Sequence, residues 1–172
     1  PNATVMSWRG TENGIHAIKE GHDVVMTPGE YCYIDYSQDA PFREPASIGG
    51  YTPLEKVYSY EPVEQALSET DASHLLGVQA NLWSEYITED AHAEYMYYPR
   101  AYAIAEVGWS TPEKDYADFH RRALVLNDRL KAEGYNVFDL ANEYGQRRES
   151  LAPVEHLAKG AKVTYVTPYH QK

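Results

Sequence analysis

The stretch Thr4–Thr27, TVMSWRGTENGIHAIKEGHDVVMT, decides the fold class. It opens on the apolar run Thr4-Val5-Met6-Ser7-Trp8 and closes on a second, Asp23-Val24-Val25-Met26-Thr27. Neither run alternates cleanly with polar residues, which predicts strands covered on both faces, as in parallel sheets. Between them Asn13–Glu20 reads as a short helix with an Asn start and a stop at Gly21. Strand, helix, strand is a βαβ unit with a right-handed crossover. A third run, Leu75-Leu76-Gly77-Val78-Gln79-Ala80, repeats the strand pattern. The connection from Pro28 to about Pro62 carries Pro41, Pro45, Pro53 and the pair Gly49-Gly50, and it is full of tyrosine. So long a loop in a compact domain is usually functional, and its aromatic content argues against disorder. A short helix is expected near Val63–Leu67.

Downstream the pattern turns helical. Ala91 to about Val107 reads as two helices divided at Pro99, which suits the first turn of the second. Tyr116–Glu133 reads as one helix, with Tyr116, Phe119, Ala123, Leu126 and Leu130 on a single apolar stripe and Gly134 at its end. The order is α/β, yet three strands cannot close a barrel, and an eight-strand barrel takes roughly 250 residues. The chain is therefore either a small open sheet or a piece of something larger.

The 172 residues suffice for one domain with its own core, and 43% apolar with 24% charged residues is ordinary for a globular protein. A net charge of −11 argues against a nucleic-acid partner. No apolar run is long enough to cross a bilayer, so no membrane insertion is expected. The N-terminus does not read as a signal peptide, so any targeting segment is expected to be absent or removed. The single cysteine, Cys32, excludes an internal disulfide and a cysteine-built metal site, and it reads as a buried, inert thiol. There is no HExxH pattern, no phosphate-binding glycine loop and no G-x-S-x-G elbow, and no metal or cofactor is expected.

Ligands of open α/β sheets and of barrels bind at the carboxyl ends of the strands. Trp8, Arg9 and Glu12 follow the first run. Glu30, Tyr31, Tyr33, Asp35 and Tyr36 follow the second, and Asn81, Trp83 and Glu85 follow the third. Aromatic faces stack on sugar rings and carboxylates bind paired hydroxyls, so this rim suits a carbohydrate. Each residue also has a plainer reading. Trp8 and Trp83 could cap the sheet as core residues, Asp35 and Glu85 could be solvated charges or helix caps, and Tyr33 could be a packed loop tyrosine. What favours a site is the recurrence of these types at three strand ends.

Val5-Met6-Ser7-Trp8-Arg9-Gly10, Tyr33-Ile34-Asp35, Leu76–Glu85 and Pro99–Trp109 resemble the β-N-acetylhexosaminidases of glycoside hydrolase family 20. The resemblance runs from Thr4 to about Phe138. It implies a (β/α)8 TIM barrel, of which this chain carries strands six to eight with their helices over residues 1–140. Residues 141–172 are then a linker and the start of a following domain. It also implies substrate-assisted catalysis, an exception to the two-carboxylate scheme. The 2-acetamido oxygen of the substrate attacks the anomeric carbon, and an Asp-Glu pair after strand four orients it and protonates the leaving oxygen. Nothing in this chain matches that pair, nor the strand-one arginine and strand-five tryptophan of the family. By the same resemblance Tyr33 is catalytic, donating to the acetamido oxygen. Trp8 lines the pocket around the acetamido methyl, Trp83 stacks beneath the sugar, and Asp35 and Glu85 hold outer hydroxyls. Some members carry a further tryptophan on the loop after strand seven; here that loop has Tyr36, Tyr51 and Tyr58 instead. Arg100, Glu106 and Trp109 read as structural, through a buried ion pair and packing. Bacterial members are usually exported, which places the protein in the periplasm or at the cell surface.

Three functions compete on these residues. The first is the C-terminal part of an exo-acting β-N-acetylhexosaminidase acting on terminal N-acetylglucosamine or N-acetylgalactosamine of a glycan. The second is a conventional glycosidase using Asp35 and Glu85 as its carboxylate pair. The third is a non-catalytic carbohydrate-binding module. An excised barrel segment would also leave two open sheet edges, so the chain is expected to self-associate.

Overall fold

A computed structural model describes residues 3–40, 43–62, 67–110 and 113–144. Three strands, β1 (Val5–Ser7), β2 (Val24–Met26) and β3 (Leu75–Val78), form one parallel sheet in the order β1-β2-β3. The strands are shorter than their apolar runs because the ladder holds register only over Val5–Val24 to Ser7–Met26, and slips between Val24 and Val25 against β3. Helix α1 (Glu12–Lys19) makes the β1-to-β2 crossover. It starts one residue before the expected Asn13 and stops at Gly21, whose φ of 81° needs a glycine. Gly14 lets α1 approach the sheet. A Cβ there would lie 2.9 Å from Ser7 Cβ and 2.8 Å from Met26 Sδ.

The long connection after β2 holds two short helices, α2 (Gly29–Cys32) and α3 (Leu54–Tyr58). Helix α4 (Glu69–Ala72), capped by the Ser68 hydroxyl accepting from Asp71 N, leads into β3. Then come α5 (Asp90–Tyr97), α6 (Arg100–Trp109) and α7 (Tyr116–Ala132), with Pro99 at the break between α5 and α6 as expected. Residues 63–66, where most of the helix expected near Val63–Leu67 falls, and residues 145–172, most of the expected linker and start of a following domain, lie outside the described residues.

The core lies between the sheet and the helices, where Ile18, Val24 and Met26 meet Val57, Ala103 and Phe119. Tyr58 stacks on Phe119 with centroids 4.3 Å apart, tying α3 to α7. The expected stripe on α7 holds for Phe119 and Ala123 but not for Leu126, which is exposed. Asn127 is buried in its place, because its side-chain amide donates to the Phe138 carbonyl at 3.0 Å. Two further expectations are corrected. The strands are not covered on both faces, since Met6 is 45% and Leu76 58% exposed. Covering that face takes chain that the described residues do not supply. Nor do Arg100 and Glu106 pair with each other. Glu106 accepts two hydrogen bonds from Arg122, at 2.6 and 2.7 Å, and one from the Tyr58 hydroxyl. Arg100 is fully buried against carbonyls, and Trp109 is 92% exposed, so it packs on none of the described residues.

Candidate functional site

The carboxyl ends of the three strands surround a cavity of about 560 Å3. Trp8, Tyr33, Asp35, Trp83 and Glu85 all line it, with Tyr36 beside them. Three unremarkable local features bring them together. Trp8 is the first residue past β1. The chain makes the single turn of α2 after β2 and then resumes its direction, so the exit residue Tyr33 forms a parallel bridge with Asn81 beyond β3. Ile34 N donates to Asn81 O at 2.9 Å and Asn81 N to Cys32 O at 2.8 Å. With Tyr33 level with Asn81, the two-residue side-chain period brings Asp35 level with Trp83 on the same side.

Trp8 and Trp83 are each 49% exposed, so neither caps the core as a buried residue. Arg9 lies over the Trp8 ring, its guanidinium carbon 4.5 Å from the centroid. Trp83 meets Tyr33 edge-on, with centroids 6.0 Å apart, and Tyr36 meets the other side of Tyr33 at 5.7 Å. The Trp83 indole beside the Tyr33 oxygen opposes the upward push of burial on the phenol. Burial wins, so Tyr33 stays protonated at neutral pH and keeps its O–H as a donor.

Asp35 is 5% exposed, not a solvated loop charge. Its Oδ1 has no hydrogen-bond partner, although it belongs to a group lining an open cavity. Burial raises the carboxyl above its ordinary value, and the nearby Glu85 charge adds to the rise. Backbone hydrogen bonds, one of them from Trp83, and the Arg100 charge act the other way. Glu85 is exposed at the rim. The cavity thus offers an aromatic wall, a neutral phenol donor and two acidic acceptors, a set suited to a polyhydroxylated ligand with one apolar face. Its volume falls within the roughly 300–1,000 Å3 of small-molecule sites.

Residues 1–112 match the model of the glycosyl hydrolase family 20 catalytic domain. The chain belongs to this family. A β-hexosaminidase of Porphyromonas gingivalis is 43% identical over 171 residues, 97% of this chain and 21% of that protein. The crystal structure of a family 20 exo β-N-acetylglucosaminidase from Vibrio harveyi, in complex with N-acetylglucosamine, superposes with a TM-score of 0.72 at 30% identity. It covers 80% of this chain and 22% of that one. A Streptomyces coelicolor β-N-acetylhexosaminidase, at 22% identity and a TM-score of 0.69, shares the fold over 84% of this chain and 31% of its own. The chain thus spans between about a fifth and a third of the length of these relatives. Its small parallel sheet with helices on one side fits part of a family 20 TIM barrel.

Some residues of this family 20 pocket, Thr27 and Gln79 among them, were not singled out from sequence. With Asn81, which was, they form a polar stretch of its lining. The Asn81 amide donates to the Thr27 hydroxyl, and Gln79 Nε2 donates to Asn81 Oδ1 at 2.8 Å. Thr27 and Gln79 each follow directly on a strand, where the same strand-end argument reaches them. Ile48, half exposed on the lining, carries no such signal because the intervening loop hides its approach. That loop folds over the pocket where Gly50, at φ 75°, lies against the Tyr36 ring. A Cβ at Gly50 would stand 2.4 Å from a ring carbon. Cys32 is buried and its thiol is pushed up to about 12 by burial, which keeps it protonated and unreactive. Among the described residues no group of acidic, histidine and cysteine side chains could hold a metal ion.

Proposed function

We propose that this chain is the C-terminal part of the catalytic barrel of an exo-acting β-N-acetylhexosaminidase, contributing strands six to eight and much of its sugar subsite. The observation that carries this reading is the single cavity shared by Trp8, Tyr33, Asp35, Trp83 and Glu85 in a family 20 chain. The substrate is a terminal N-acetylglucosamine or N-acetylgalactosamine of a glycan. Its acetamido oxygen is the nucleophile, and hydrolysis retains the anomeric configuration. The Tyr33 hydroxyl donates to that oxygen, holding it in line for attack on the anomeric carbon. Trp8 closes around the acetamido methyl. The exposed Trp83 face stacks beneath the ring, and Asp35 and Glu85 accept from outer hydroxyls. The general acid and its aspartate partner come from chain upstream of Pro1, residues 141–172 lead into a following domain, and the protein works in the periplasm or at the cell surface.

The test compares the 172-residue chain with a version extended upstream through a whole barrel, on a chromogenic β-N-acetylglucosaminide and the matching β-glucoside. Only the extended protein should act, and only on the acetamido sugar. Hydrolysis by the short chain would mean that Asp35 and Glu85 are themselves a catalytic pair. The close electrostatic contact of these two acids makes that the second reading, and Glu85→Gln would then abolish activity rather than weaken sugar binding.

We also propose that the chain alone self-associates. Among the described residues β1 and β3 each pair on one side only, and Met6 and Leu76 leave the neighbouring sheet face open. Unpaired edges beside apolar surface favour pairing between copies. Light scattering at rising concentration should show dimers or larger species, and a mass fixed at the 19.5 kDa monomer would refute this.

A further inference from the structure

Arg100 makes three of its hydrogen bonds to the loop that carries Asp35 and the others to the last turn of α5. A guanidinium has five N–H donors. Here Nε and Nη2 donate to Met96 O, at 3.2 and 2.7 Å, and Nη2 also donates to Ile34 O. Nη1 donates to Tyr36 O at 2.7 Å and to Thr52 O at 3.0 Å. Ile34 and Tyr36 flank Asp35, and Thr52 closes the far end of the same loop by donating its N–H to Ser37 O. The guanidinium is fully buried and ends on neutral carbonyls, with its base fixed in the first turn of α6. Burial lowers it to about 9, still charged at neutral pH. A buried charge of this kind is expensive unless its hydrogen bonds are all made. Satisfying it therefore demands one arrangement of the three peptide units. That arrangement leaves the Asp35 carboxyl buried at the cavity with Oδ1 unpartnered.

We propose that Arg100, through the carbonyls of Ile34 and Tyr36, is the positioning residue that aims Asp35, and with it Tyr33, into the sugar pocket. This rests on the reading of the cavity as a sugar subsite. A lysine in its place has three donors in a tetrahedral rather than planar array and cannot hold all these carbonyls at once. A second arginine serves as comparison. Arg122 pairs with Glu106 and Asp118 in the α6–α7 contact, and it does not line the cavity.

The experiment uses the 172-residue chain with R100K, R100M and R122Q, each also combined with Asp35→Asn. Fold is followed by thermal melting, N-acetylglucosamine affinity by amide-resolved NMR titration, and loop order by hydrogen exchange without sugar. R100K should remain folded, bind N-acetylglucosamine about tenfold more weakly, and lose most of that difference in the Asp35→Asn background, as coupled groups do. The amides of Ile34 and Thr52 should exchange faster in R100K and not in R122Q. The proposal is overturned if R100K binds no more weakly than R122Q at matched melting temperature, or if the effects of R100K and Asp35→Asn simply add. It is also overturned if both Arg100 variants fail to fold, because Arg100 is then a determinant of the fold alone. If the unaltered chain binds no N-acetylglucosamine, the functional reading fails instead. The exchange rates of Ile34 and Thr52 then decide the positioning role by themselves.

Discussion

Tyr33→Phe, made in the complete enzyme this chain is proposed to belong to, lowers kcat about 10²-fold and leaves KM nearly unchanged. The size follows from what the hydroxyl does. Its hydrogen bond turns the acetamido oxygen toward the anomeric carbon, and without it the sugar is still held by its other contacts but reaches the attacking geometry less often. The structure supplies a condition for this. Burial holds the phenol in its neutral form, so the donor is present across the working pH range. The pH profile should therefore keep its shape in the variant, since no titrating group is removed. Steady-state kinetics on a chromogenic β-N-acetylglucosaminide decides it. A raised KM with kcat intact would make Tyr33 a ground-state contact and move the orienting role elsewhere.

The parts of this molecule that were legible from sequence share a physical cause. β1, β2 and β3 announce themselves because β-branched and large apolar residues in short runs report burial, and α7 because its stripe repeats at the helical period. Trp8, Tyr33, Asp35, Trp83 and Glu85 stand out because strand ends are where an α/β fold exposes side chains to a ligand. What escaped depends on contacts between residues distant in sequence. Arg100 reaches carbonyls as far back as Ile34, and a carbonyl has no residue identity to read. It therefore looked like half of an ion pair with Glu106, when Glu106 belongs to Arg122 on α7. Asn127 broke the α7 stripe because its partner is the Phe138 backbone. The strands looked covered on both faces because their composition reflects a complete barrel, whereas Met6 and Leu76 lie open here. Trp109, read as packing, is exposed among the described residues.

Asp35→Asn should stabilise the chain and weaken its sugar binding together. The Asp35 carboxyl lies above its ordinary value in the folded protein, chiefly through burial and then through the Glu85 charge. The folded state thus binds this proton more readily than the unfolded chain, and ionisation opposes folding. The destabilisation is absent below the unfolded value of about 3.9. It grows as pH rises from there to the raised folded value, and it is fully present above that. An asparagine of the same shape carries no charge to desolvate, so the variant should melt higher at neutral pH, with the advantage vanishing in acid. Affinity moves the other way. A hydrogen bond from a sugar hydroxyl to a charged acceptor is worth about 1.5–3 kcal/mol. Its loss weakens N-acetylglucosamine binding about 10–150-fold at neutral pH. In the unaltered chain binding should fade as pH falls through the folded value of Asp35, while that step should be absent from the variant. Melting and titration across pH 3–8 measure both arms. A variant that melts lower at neutral pH would mean that the Asp35 charge, held by Arg100 and the Trp83 backbone, stabilises the fold. One that binds sugar as tightly as the original would place the hydroxyl contact on Glu85 alone. If both expectations hold, the buried acid with its unpartnered oxygen is a cost in stability retained for binding, as sites that must meet a polar ligand often are.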